Sequence, residues 1–267
     1  MEPRYEEQFT AFIDFLGFEE FSGKADDDTR AKVLDLLVAL SQSRGEFSVE
    51  SRAEGSGLSS ASRPAVSTFS DHIVVSFPLK PMSMEGQFDE GTVALIILNH
   101  FTMLVTSIAV GALRIGFLIR GGATIGKLYH AGGVVFGEAM VEAYRLESST
   151  AVYPRVVLSP KITERAGWME KAMNVAKDDD GLYHVDYFQM MLPEAARSGT
   201  DSAKAWYQEA VFVVSRNLAT LKDSGNVNAF AKWTWFARQF RNGLETLQKR
   251  APEYFELVAG SLNKNLW

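Results

Sequence analysis

Apolar and polar positions along the chain change period several times, and each change marks an element. Phe9 to Phe15 alternates weakly and is rich in aromatic and branched side chains, which predicts a strand that ends at Gly17 with Asp14 near its end. After the cap-like run Asp26-Asp27-Asp28-Thr29, the residues Val33, Leu34, Leu37, Val38 and Leu40 recur at helical spacing as far as about Ser43. Arg44 to Ser62 is dominated by Ser, Gly and Glu and reads as a loop that Pro64 ends. Val66 to Phe69 and Ile73 to Phe77 predict two strands around Ser70-Asp71-His72, a hairpin with Asp at its turn, stopped by Pro78.

A long apolar helix is predicted from about Thr92 to Leu113, followed by a strand over Ile115 to Ile119, a break at Gly121-Gly122 and a further strand over Ile125 to Tyr129. Gly132-Gly133 makes a turn, Glu138 to Leu146 has helical spacing, Val156 to Leu158 is a short strand and Tyr183 to Met190 a last, mixed one. From about Asp201 the spacing becomes helical again through Trp206, Val211, Val214, Leu218 and Leu221, breaks at Gly225, and resumes through Phe230, Trp233, Phe236, Phe240 and Leu244. The fold class expected is α+β, with helices on one face of a mostly antiparallel sheet over residues 1–195. A C-terminal helical hairpin over residues 196–267 is expected to pack on that core or on a dimer partner. Gly91 to Leu113 contains no Asp, Glu, Lys or Arg and is long enough to span a bilayer of about 30 Å. Asn99 and His100 near its middle, and the lack of flanking Lys or Arg clusters, argue instead for a buried core helix and no membrane contact.

Composition narrows the function classes. The 267-residue chain is 46% hydrophobic and 22% charged, which excludes disorder throughout and collagen-like repeats. Its 33 acidic and 27 basic residues leave a net charge of −6 and a pI near 5.4, which argues against an electrostatic nucleic-acid binder. Without cysteine there are no disulfides, thiolate zinc sites, Fe–S clusters or cysteine nucleophiles. The start, Met1-Glu2-Pro3-Arg4-Tyr5-Glu6-Glu7, has no signal-peptide character, so a cytoplasmic protein is expected. His72, His100, His130 and His184 show no metal-like spacing and are read as core or surface residues.

Four segments carry the candidate chemistry: Phe12-Ile13-Asp14-Phe15-Leu16-Gly17-Phe18, Phe69-Ser70-Asp71-His72-Ile73, Arg120-Gly121-Gly122-Ala123-Thr124-Ile125-Gly126, and Gly137 to Leu146. Together, in this order over roughly Phe9 to Ser159, they resemble the class III nucleotidyl cyclases. They match, in turn, that family's opening strand, its aspartate-bearing hairpin, its Arg-x-Gly-x-x-x-Gly strand and the helix that carries its Asn and Arg. The resemblance implies a catalytic domain with a ferredoxin-like antiparallel sheet, in which a 3′ oxygen attacks the α-phosphate of a nucleoside triphosphate and pyrophosphate leaves. Two divalent cations, Mn²⁺ or Mg²⁺, assist such a step when two carboxylates converge on them. Asp14, Asp71 and the backbone carbonyl of Phe15 would be their ligands. Gly17 and Phe18 open onto the next helix, where backbone N–H groups hold the β- and γ-phosphates. Arg145 matches the arginine that contacts the α-phosphate. The alternatives for these residues are a cap or turn role for Asp14 and Asp71, and for Arg145 a surface ion pair with Glu142 or Glu138.

Departures from the family pattern concern the base. Where adenylate cyclases place a base-reading Lys and guanylate cyclases a Glu, this chain has Ser67; Val134 stands where they place Asp, Thr or Cys, and Val141 replaces the family Asn. Neither purine-reading set is present, which suggests a different base. That pattern resembles the bacterial Pycsar pyrimidine cyclases. It implies UTP, or else CTP, as substrate, a cyclic pyrimidine mononucleotide as an antiphage signal, a separate effector that senses it, and a homodimer with composite sites. Ser67 and Val134 are then the base-binding positions. A purine cyclase with an altered pocket and a catalytically silent nucleotide-binding module are the alternatives. The family's late transition-state lysine has no clear counterpart beyond Lys177, beside Asp178-Asp179-Asp180-Gly181.

Overall fold

The structure, a computed structural model, describes residues 5–18, 27–42, 49–50, 61–62, 64–79, 90–165 and 167–259. Its first strand, β1 (Glu6–Leu16), is followed by α1 (Asp27–Gln42), the two-residue strands β2 (Val49–Glu50) and β3 (Ala61–Ser62), and the hairpin β4 (Ala65–Phe69) and β5 (His72–Pro78). Then come α2 (Glu90–Arg114), β6 (Leu118–Ala131), β7 (Val134–Phe136), α3 (Glu138–Arg145) with a π-helical turn over Leu146–Thr150, and β8 (Val156–Leu158). The short helices α4 (Pro160–Thr163) and α5 (Trp168–Lys171) lead to β9 (Val175–Lys177), β10 (Tyr183–Val185), α6 (Met191–Ala195) and the long pair α7 (Thr200–Lys222) and α8 (Val227–Arg250), ending in α9 (Pro252–Ala259). The main sheet runs β4-β5-β1-β6-β8-β10-β9, with β7 folded back on β6, and every pairing except β6 with β8 is antiparallel. The α+β class expected from the sequence is the class observed.

Alternation along β1 divides the sheet into two faces. Phe9, Ala11, Ile13 and Phe15 point into the principal core, where α2 lays down Ile97, Leu98, Phe101, Leu104, Val105 and Ile108. This explains the apolar run: Gly91–Arg114 is long and apolar enough to cross a membrane, yet its side chains fill a protein core. The opposite face carries Phe12 and Val74, packed with Ala143 of α3. Helices therefore sit on both faces, not on one.

That second contact also corrects the strand break expected at Gly121-Gly122. β6 runs unbroken through both glycines. A Cβ on Gly122 would lie 2.5 Å from the Ala143 carbonyl, and one on Gly121 2.6 Å from the Phe12 carbonyl. The glycines make room for α3 and for β1 rather than ending a strand. Ile115 and Gly116 form a turn before β6, and the last mixed strand stops at Val185, with a 3₁₀ turn over Phe188–Met190. Of the Ser/Gly-rich stretch 44–62, only the paired strands β2 and β3 lie among the described residues.

The C-terminal helices share the principal core. Trp206, Tyr207 and Val214 of α7 and Trp235, Phe236, Phe240 and Leu244 of α8 belong to it, and the Trp206 indole donates to the Val110 carbonyl at 3.1 Å. Arg155, 1% exposed, anchors the β9–β10 turn by donating to Asp178 at 2.5 Å and to Asp180, with its guanidinium 5.9 Å and 6.0 Å from the Tyr153 and Trp235 rings. The bond to Arg155 is the main cause that holds the Asp180 carboxyl below its ordinary pKa. The triple-aspartate segment is thus occupied structurally.

Candidate active site

Cross-strand register places one row of polar residues at the end of the sheet. His72 of β5 and Arg120 of β6 both pair with Asp14 of β1, so three neighbouring strands present them side by side on the face opposite the core. The hairpin turn is drawn to the same point. Ser70 takes a positive φ of 55°, and the Phe15 amide donates to the Asp71 carbonyl at 3.1 Å, bolting the turn to β1. Asp71 Oδ1 lies 3.0 Å from His72 Nδ1, and His72 Nε2 lies 3.8 Å from Asp14 Oδ1. One ligand atom from each of Asp14, Asp71 and His72 falls within 4.8 Å of the others.

Arg120 holds the inner end of the row. Its guanidinium donates to Asp14 Oδ2 at 3.3 Å and pairs with Glu147, a buried carboxylate on the π-helical turn. Burial pushes the carboxyls of both Asp14 and Glu147 above their ordinary pKa, with Arg120 opposing. Lys232 of α8 feels the same groups: burial lowers its pKa first, Arg120 lowers it further, and Asp14 and Glu147 raise it. The C-terminal hairpin thereby brings a cation within electrostatic reach of the site.

The donor set fits a divalent cation. Two carboxylates, one on β1 and one in the adjoining hairpin turn, are the hard oxygen donors that Mg²⁺ and Mn²⁺ take, and a bound ion would relieve the burial penalty on Asp14. His72 adds an imidazole nitrogen that Mn²⁺ accepts more readily than Mg²⁺. Its place in this cluster differs from the core or surface role expected from sequence. Spacing along the chain carries no trace of it, because the three groups meet only through strand pairing.

The other expected positions divide between this face and the surface. Gly17 takes a φ of +92°, with open space where a side chain would stand, and Phe18 packs on Phe117 with ring centroids 5.9 Å apart. Beside Gly17 opens a cleft of about 610 Å³ that Lys32, Arg114, Arg216 and Trp233 help to line; Asp14 and Asp71 do not line it. Ser67 is half-buried on the same face as His72, and its hydroxyl is engaged with His130. Val134 is 54% exposed and Arg145 is exposed, and the ion-pair partners of Asp14 among the described residues are Arg120 and His72, not Arg145. Neither glutamate expected to pair with Arg145 does so: Glu142 accepts from Lys161 at 2.6 Å and Glu138 from the Lys127 amide at 3.3 Å. Lys177 lies on the edge strand β9 with its amine 5.3 Å from the centre of the Tyr183 ring, away from Asp14.

No family model matches the chain, and no curated protein matches it in sequence. Solved structures similar to it include a bacterial light-regulated adenylyl cyclase, 14% identical over 69% of this chain and 52% of that one, with a TM-score of 0.38. A guanylyl cyclase is 14% identical over 69% of this chain and 94% of its own, with a TM-score of 0.37. The catalytic core of a rhodopsin-guanylyl cyclase with converted specificity, in complex with ATPalphaS, is 14% identical over 69% of this chain and 98% of its own, at 0.39. The chain spans about half the length of the first of these.

Proposed function

We propose that the chain is a pyrimidine nucleotide cyclase that converts UTP to 3′,5′-cyclic UMP and pyrophosphate, at sites shared between two copies. The observation that carries this reading is the convergence of Asp14 and Asp71 on one end of the sheet, beside Arg120 and a Gly17 turn with basic side chains around it. Asp14 and Asp71, with His72, would hold Mn²⁺ or Mg²⁺. A divalent cation held there would supply Lewis-acid chemistry, lowering the pKa of the 3′-hydroxyl and neutralising charge on the departing pyrophosphate. The 3′ oxygen bonds to the α-phosphorus, the bond from that phosphorus to the bridging oxygen breaks, and the hydroxyl proton passes to solvent.

Amides at Gly17 and Phe18 would fix the β- and γ-phosphates, and the Phe15 carbonyl would offer the cation a further oxygen ligand. Arg120 and Lys232 keep the site from accumulating unbalanced negative charge once a triphosphate enters. Arg145 would reach the α-phosphate of the partner's nucleotide, and Val134 its base. Support for sharing comes from the exposed apolar side chains beside them, Phe136, Val141 and Tyr144, which a second copy would cover. The product would act through a separate effector, as in a defence signal.

Purified protein given equal amounts of the four ribonucleoside triphosphates and Mn²⁺ should yield mainly cyclic UMP. Mainly cyclic CMP would move the assignment to cytidylate, mainly cyclic AMP or GMP to a purine cyclase, and no cyclic product to a nucleotide-binding module.

A further inference from the structure

Along the same face, the hairpin and β6 build a buried polar chain that the reaction itself does not use. His130 bonds to a serine hydroxyl at each ring nitrogen: Nε2 to Ser67 Oγ at 2.9 Å and Nδ1 to Ser76 Oγ at 2.9 Å. Ser76 is 0% exposed on β5, between β4 and β1, and His130 is 9% exposed. Ser67 lies on β4 two residues before Phe69, roughly 7 Å along the strand from the turn that carries Asp71, and on the same face as Asp14.

Proton accounting fixes the direction of this chain. A neutral imidazole carries one N–H and one acceptor nitrogen. Among the described residues His130 is the one partner of the Ser76 hydroxyl, since Thr10, directly across the strand pair, has a buried hydroxyl without a hydrogen bond of its own. A buried hydroxyl with a single partner places its proton only by donating it. Ser76 therefore donates to Nδ1, the ring proton resides on Nε2, and Nε2 donates to Ser67 Oγ. Among the described residues the Ser67 proton has no acceptor left on the protein side.

We propose that His130 is a positioning residue for base choice: locked by Ser76 as the Nε2–H tautomer, it turns the Ser67 hydroxyl proton outward, where it reads a ring carbonyl in preference to an exocyclic amino group. This rests on the cyclase reading and on Ser67 facing the base. It favours uracil, whose edge offers a carbonyl where cytosine carries an amino group. Seating that amino group leaves the Ser67 proton displaced from its natural acceptor, a loss of about tenfold in preference.

Two measurements test it on the full-length protein. A long-range ¹H–¹⁵N spectrum of the nucleotide-free protein at neutral pH, with His130 identified by its loss in His130→Gln, should show the Nε2–H tautomer. An Nδ1–H tautomer or an imidazolium overturns the proposal. In equimolar UTP and CTP, Ser76→Ala frees the ring to flip, and the ratio of cyclic UMP to cyclic CMP should fall about tenfold, mainly through a higher KM for UTP. An unchanged ratio from an active wild type overturns this inference alone. Absence of any cyclic nucleotide from the wild type overturns the cyclase reading and this inference with it.

Discussion

Asp14→Asn separates the carboxylate's cation role from its structural one. The substitution keeps the shape of the side chain and its place beside Arg120 but removes a charge that burial disfavours, since the Asp14 carboxyl is held above its ordinary pKa. Arg120 retains Glu147 as a partner. The metal-free variant should therefore melt no lower than wild type. With Mn²⁺ at about 100 times its dissociation constant, the wild type gains about 2.7 kcal/mol. For a chain of 267 residues the unfolding entropy near 60 °C is about 0.56 kcal/mol per kelvin, so the melting temperature rises by about 5 °C. Asp14→Asn, having lost one of two carboxylate donors, should show less than about 1 °C of that rise and no turnover. Differential scanning fluorimetry with and without Mn²⁺ reads both numbers. An equal Mn²⁺ shift in variant and wild type would refute the cation site; a large loss of metal-free stability would show that the carboxylate is mainly a structural anchor.

Three further outcomes are expected. Mixing inactive Asp14→Ala with inactive Arg145→Ala should restore about a quarter of wild-type cyclase activity, because half the dimers are mixed and each has one intact site; no recovery after proven subunit exchange would place each site within one chain. Arg155→Met should lower stability by about 3 kcal/mol and the melting temperature by about 5 °C, because Asp178 loses a buried partner, and an unchanged melting curve would contradict this. Burial depresses His130 from 6.5 to about 4, so the unfolded chain binds the proton more tightly and stability falls as pH drops from 6.5 toward 4, by about 3 kcal/mol in all. Denaturant titrations should show that limb flattened in His130→Gln; an identical limb in the variant would assign it to other groups.

What the sequence made legible is what local pattern encodes. Alternation with a flanking Pro or Asp turn located β1 and the β4–β5 hairpin, and helical spacing located α2, α3, α7 and α8. β1 carries Asp14 and the hairpin's turn carries Asp71, so the two candidate carboxylates could be read from motifs alone. Gly121 and Gly122 misled because a glycine that ends a strand and one that admits a helix look alike until α3 is placed over it. β9 is three residues long, and the Arg155 anchor that fixes its turn lies more than 20 positions away in sequence. His72, Glu147, Lys232 and the Ser67–His130–Ser76 chain were invisible for one physical reason: each takes its meaning from a neighbour supplied by strand pairing or by a distant helix.

The most direct measurement of the central claim is product mass and stoichiometry with purified wild type, Asp71→Asn and UTP in Mn²⁺. Wild type should release one pyrophosphate for each cyclic UMP formed, while Asp71→Asn, its melting curve intact, forms neither. Pyrophosphate without cyclic UMP, or cyclic UMP at wild-type rate from Asp71→Asn, would contradict the account.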